Sequence, residues 1–222
     1  MTYAQPKILV ALLAIASVCT TALIVMTSFA RNGPATDSHL FQQGLALPEF
    51  LLTERNGQPF GSEQLRGKVW IVNFIFTRCP GICPALMQQM AGLQTELAKH
   101  PQWSHIRLVS ISVDPGHDTP PRLQQYAQRY QADREHWLFL TGGRDEIWTL
   151  CEQGFKQTVA ENKQNSTIPI LHTSNFLLVD RHLHIRGAYN GLEAEQRAAL
   201  KQDLQRVLDC SASARALKGT DG

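Results

Sequence analysis

Two apolar runs dominate the hydrophobic pattern of the chain. Residues 69–76 (VWIVNFIF) and 106–113 (IRLVSISV) are rich in Val, Ile and Phe and lack a regular polar alternation. That pattern marks strands buried on both faces of a sheet. A shorter run at 137–140 predicts a third strand. Residues 176–179 and 183–189 flank Asp180-Arg181 and predict a hairpin. A second hairpin is expected near the start, where 50–53 and 58–60 flank Arg55-Asn56-Gly57, because Asn-Gly is a strong turn signal. Helix formers fill 85–99, and further helices are expected at 122–130, 144–153 and 192–208. In the third of these four, Ile147, Leu150 and Cys151 share a face. Ser62 is placed to cap a short helix through Leu65, which Gly67 ends. Residues 114–120 and 161–166 are polar and predict loops.

Strands alternating with helices predict an α/β fold, a central sheet flanked by helices, with an extra N-terminal β-hairpin. The expected domain spans 46–210, between a polar linker at 31–45 and a loose tail at 211–222. Residues 8–30 contain no charged residue, and about 20 apolar residues suffice to span a bilayer as a helix. Lys7 precedes this stretch and Arg31 follows it, a weak bias that lets the N-terminus stay in the cytoplasm. Ser28-Phe29-Ala30 resembles a signal cleavage site, but the stretch is longer than a usual signal core, so a retained transmembrane anchor is expected. Either way the domain is exported, and its cysteines meet an oxidising compartment.

Charge narrows the options little. The 222 residues carry 21 Lys+Arg against 19 Asp+Glu, without a basic run, so nothing points to nucleic acid. At 43% hydrophobic the chain can bury a sizeable core. Five cysteines are too few and too scattered for a disulfide framework, and only Cys79 and Cys83 are close together. They are expected to be a chemical pair. Both lie where a buried strand gives way to a helix, and the free N–H groups of a helix N-terminus favour thiolate. If the first turn were helical from Cys79, the spacing of four would put both sulfurs on one face. A thiol pair after the first central strand and before a long helix is the thioredoxin arrangement.

Three motifs resemble those of the SCO/SenC family of copper chaperones for cytochrome c oxidase. They are Phe76-Thr77-Arg78-Cys79-Pro80-Gly81-Ile82-Cys83-Pro84, then Ser112-Val113-Asp114-Pro115 with Asp118-Thr119-Pro120, and His172-Thr173-Ser174 followed by Phe176-Leu177 and Asp180. The resemblance implies a membrane anchor, a thioredoxin-like domain, and copper bound by Cys79, Cys83 and His172. It also implies the copper-binding subunit of the oxidase as partner, with other copper chaperones or thiol reductants. The chemistry agrees: thiolates select Cu(I), and imidazole accepts either oxidation state of copper. A structural zinc site would normally need a fourth protein ligand, and an iron–sulfur cluster usually wants four cysteines. By analogy with thioredoxin-like folds, the loop before the last hairpin packs on the thiol loop, usually through a proline. That position falls near Ser174 here, which leaves room for a histidine.

Cys79 and Cys83 also fit a second chemistry, thiol–disulfide exchange that reduces the oxidase's own copper-binding cysteines. A peroxiredoxin is disfavoured by Phe76, which stands where such enzymes carry Thr or Ser. Met87 and Met90 share a face with Cys83 but are expected in the core. His182 and His184 are expected to alternate on a solvated strand edge, and Cys151 to be a buried free thiol. Cys210 has no assignment. Asp114 and Asp118 either cap a turn or helix or support the site.

Overall fold

The computed structural model describes residues 44–162, 164 and 170–218. The expected anchor at 8–30, the linker as far as residue 43, and half of the loop at 161–166 lie outside the described residues. Among the described residues no helix is long and apolar enough to cross a membrane.

Among the described residues ten strands and five α-helices follow in order: β1 (Leu45–Ala46), β2 (Leu51–Glu54), β3 (Pro59–Gly61), α1 (Ser62–Leu65), β4 (Val69–Ile75), α2 (Ile82–Leu97), β5 (Ile106–Ser112), α3 (Pro120–Arg129), β6 (Trp137–Thr141), α4 (Arg144–Thr149), β7 (Val159–Glu161), β8 (Ile170–His172), β9 (Asn175–Val179), β10 (His184–Asn190) and α5 (Ala194–Lys218). Eight strands form one sheet in the order β1-β10-β9-β4-β5-β6-β2-β3. The parallel centre is β4, β5 and β6. Antiparallel β9 and β10 extend one side, and β2 and β3 the other.

All seven residues of β4 are buried. Their side chains alternate between two cores, as the pleat demands. Trp70, Val72 and Phe74 join Val109, Ile111, Ile147 and Phe155 on one face. Ile71 and Ile75 join Leu86, Met90, Leu123, Leu200 and Leu204 on the other. The unbroken apolar run of the sequence is therefore a strand covered on both sides. It also fixes where the chain emerges, because β4 can release it only at its C-terminal end, beside Cys79.

Several boundaries differ from the sequence expectation. Helix α2 begins at Ile82, three residues earlier than the run of helix formers, so Cys83 is helical and Cys79 precedes the helix. Pro84 is tolerated in that first turn because an N–H there has no helical partner. Helix α3 starts on Pro120 and Pro121 for the same reason. Helix α4 passes into a π-helical turn at Leu150–Gly154. Helix α5 continues to Lys218, past the expected end at residue 208 and into the expected tail. Strands β7 and β8 form a separate two-stranded ribbon. Three-residue strands are too short to show an alternation, and the sequence carries no strand signal there.

Candidate metal and thiol site

At the end of β4 the chain turns sharply, and the second motif holds the turn. Asp118 is fully buried. Its carboxylate accepts the Thr77 N–H at 2.9 Å, the Thr77 hydroxyl at 2.5 Å and the Ser112 hydroxyl at 2.6 Å. Asp114 accepts Arg78 Nε at 2.7 Å. Of the two roles considered for these aspartates, the structure shows cross-links to the thiol loop. Asp118 does not cap α3, whose N-cap is Thr119.

Cys79 and Cys83 are free thiols, and both are buried. Because the helix starts at Ile82, a turn rather than helical spacing brings them together. The Cys83 thiol donates to the Cys79 sulfur, and the backbone N–H groups of Cys83, Gly81 and Ile82 also point at that sulfur. Together they overcome burial and pull the Cys79 thiol down to about 6. The shared proton pushes the Cys83 thiol strongly up, and burial adds to the rise. At neutral pH the pair is one thiolate and one thiol, the division expected when two coupled groups share a proton.

His172 ends β8 and faces the pair. Its Nε2 lies 3.2 Å from Cys83 Sγ. Its Nδ1 lies 2.9 Å from the Thr173 carbonyl oxygen. A carbonyl only accepts, so Nδ1 carries the proton and Nε2 keeps its lone pair, a second acceptor beside the Cys79 sulfur for the one Cys83 proton. The Phe76 ring meets the imidazole edge-on, with centroids 5.6 Å apart. Burial lowers the His172 pKa, which keeps the ring neutral. Among the described residues no three His, Cys, Asp or Glu side chains are already gathered as a metal cage. Cys83 is the shared member of the two contacts that exist, one to Cys79 and one to His172.

The other candidates fall away from this point. Met87 and Met90 are fully buried in the core, where the Met87 sulfur receives Asn73 Nδ2 at 3.8 Å. Cys151 is buried and directed at the Gln157 carbonyl; Cys210 is exposed. His182 and His184 do not alternate on a strand. His182 lies in the β9–β10 turn, because Leu183 adopts φ 65° and β10 starts at His184. Sequence reasoning overlooked the part played by Thr77, although it stands inside the cysteine motif, because its only signal is proximity to Cys79.

The Cys79 shift sets a pH dependence. Folding lowers this pKa from 9.0 to about 6. Between those values the unfolded chain holds a proton that the folded chain has released, so stability rises with pH. That contribution is complete above the unfolded value and is lost as pH falls through about 6. The raised Cys83 value reverses the slope at higher pH, and lowered His172 adds a loss below its ordinary pKa of about 6.5. Urea midpoints of the reduced protein should therefore climb from pH 6 toward 9 and then decline. A profile as steep in Cys79→Ser as in wild type would refute the assignment.

The fold and site define a thioredoxin-like domain whose thiolate–thiol pair faces a neutral imidazole, a donor set for soft-metal or dithiol chemistry. The SCO1/SenC family model matches residues 39–209, and the chain belongs to that family. A Stutzerimonas stutzeri protein named for copper binding is 32% identical over 200 residues, covering 89% of this chain and 91% of that protein. The crystal structure of a SCO1/SenC family lipoprotein from Bacillus anthracis is similar at a TM-score of 0.68 and 29% identity, covering 75% of this chain and 96% of that one. BsSco, described as a member of the Sco family of cytochrome c oxidase assembly proteins with a disulfide switch, is similar at a TM-score of 0.63 and 30% identity, covering 73% and 93%.

Proposed function

We propose that the chain is a membrane-anchored copper chaperone that delivers copper to the dinuclear copper centre of cytochrome c oxidase during assembly, with Cys79, Cys83 and His172 as the copper ligands. The observation that carries this reading is His172 Nε2, deprotonated and 3.2 Å from the Cys83 sulfur. The donor set fits. A preformed thiolate, a thiol that loses one proton on binding, and a neutral imidazole make the soft set that selects copper. The S. stutzeri relative is named for copper binding, and BsSco is described within a family of oxidase assembly proteins.

In this reading residues 8–30 anchor the chain in the inner membrane as a single span, with the N-terminus in the cytoplasm. The domain then stands in the periplasm or an equivalent exported space. Copper leaves by ligand exchange, as sulfurs of the oxidase's copper-binding subunit replace these donors one at a time. Copper loading followed by X-ray absorption tests the ligand set. Two sulfur neighbours and one nitrogen are expected in wild type, with the nitrogen lost in His172→Ala. Wild-type stoichiometry in a Cys79→Ser/His172→Ala double variant would overturn it.

The thiolate–thiol pair favours a second reading, a thiol–disulfide reductase for the oxidase's cysteines. Cys79 attacks a substrate disulfide, forms a mixed disulfide and releases one thiolate. Cys83 then loses its proton and attacks the Cys79 sulfur, which closes the Cys79–Cys83 disulfide and frees the second substrate thiol. A thiol reductant must restore the pair. If His172→Ala abolishes oxidase assembly while thiol exchange persists, this reading loses.

A further inference from the structure

Ribbon β7–β8 carries His172 outside the main sheet, where Val159 pairs with His172 and Glu161 with Ile170. Something must hold its base against the thiol loop. Val159 and Ile170 pack it into the core that holds Phe76, Cys79 and Cys83, and the polar side chain bound to its base is Gln157, which the copper chemistry leaves unused. Gln157 is buried, at 7% exposed. Its Oε1 accepts the Thr173 hydroxyl at 2.9 Å and Asn175 Nδ2 at 2.8 Å. Its Nε2 lies 3.1 Å from both the Phe155 and the Lys156 carbonyls. Its own N–H donates to the Cys151 carbonyl at 2.9 Å. Lys156, just before it, takes φ 55°, which turns the chain out of the π-helical turn.

These bonds form one path. The π-helical turn after α4 fixes Gln157. Gln157 fixes Thr173 and Asn175, the residues one and three after His172. Thr173 presents the carbonyl that holds His172 Nδ1. Both donors and the acceptor of the Gln157 amide are thereby matched, and a matched buried amide has a single orientation. We infer that Gln157 is the positioning residue that aims His172 Nε2 at Cys83. It works through the Thr173 carbonyl and touches neither sulfur nor metal. The inference rests on the copper reading for its functional meaning, but its geometric claim holds for the metal-free chain.

The test uses full-length reduced protein in detergent with isotope-labelled histidine. Nitrogen-detected NMR reports the His172 tautomer without metal. Wild type should show a single Nδ1–H tautomer. Gln157→Met keeps the volume but removes the amide, and a tautomer mixture at His172 is expected. Copper titration of the same samples should show retention reduced about 10–100-fold, as for other groups that orient a metal ligand. Should Gln157→Met fail to fold, Thr173→Val removes one bond of the path and should shift the tautomer in the same direction. A folded Gln157→Met protein with an unchanged His172 tautomer would overturn the inference. X-ray absorption of copper-loaded wild type without a nitrogen neighbour would instead overturn the copper reading, and the tautomer result would still decide the role of Gln157.

Discussion

Replacing Cys83 by Ala should raise the Cys79 pKa clearly above its value of about 6 and abolish firm copper retention. The first effect follows from the largest cause of the depression, the hydrogen bond from the Cys83 thiol. Without it the backbone N–H groups of the α2 start still favour thiolate, but burial opposes them. Thiolate absorbance near 240 nm followed against pH would show the midpoint move upward. The second effect follows from position. Cys83 is the sulfur that touches both Cys79 and the imidazole, so its loss leaves two donors with no common neighbour. Groups that only orient a ligand cost about 10–100-fold when removed, and under the copper reading losing a ligand outright should exceed the top of that range. A midpoint still near 6, with copper held through a desalting column, would contradict the pairing described here.

The second large effect concerns stability. Asp118→Ala should cost about 3–5 kcal/mol, because each buried donor left without a partner costs about 1–3 kcal/mol. Three donors depend on that carboxylate, the Thr77 N–H, the Thr77 hydroxyl and the Ser112 hydroxyl. Solvent cannot replace it at the fully buried Ser112, whereas Thr77 is half-buried, which keeps the cost toward the lower end of that sum. Asp118→Asn keeps an accepting oxygen and should lose less, about 1–2 kcal/mol on the same scale. Guanidinium unfolding of the two variants measures the difference. Equal stability of Asp118→Ala and wild type would mean that the thiol loop does not depend on this clamp.

The central strands were legible because burial on both faces leaves a continuous apolar run, as in 69–76. The thiol pair was legible because its cysteines stand four apart at the end of that run. The start of α2 was not. Pro80, Gly81 and Pro84 read as loop, yet an early proline is compatible with a first helical turn. His172 was found through its motif, but the strand beneath it spans three residues and leaves no periodic trace. Gln157 was invisible. A lone glutamine in a polar segment carries no spacing signal, and only the folded chain shows that Thr173 and Asn175 converge on it.

The three donors rest on unequal supports. Cys79 and Cys83 follow the most deeply embedded strand of the domain, whereas His172 rides on a ribbon joined by three residue pairs and lying outside the sheet. Swinging the imidazole aside disturbs a short ladder and the Val159 and Ile170 side chains that pack into one core, whereas loosening either sulfur disturbs the end of β4 itself. Under the copper reading, unloading has a built-in sequence: the nitrogen arm lifts first and an incoming sulfur takes the vacated side, while the dithiol base keeps hold until the recipient has closed around the ion.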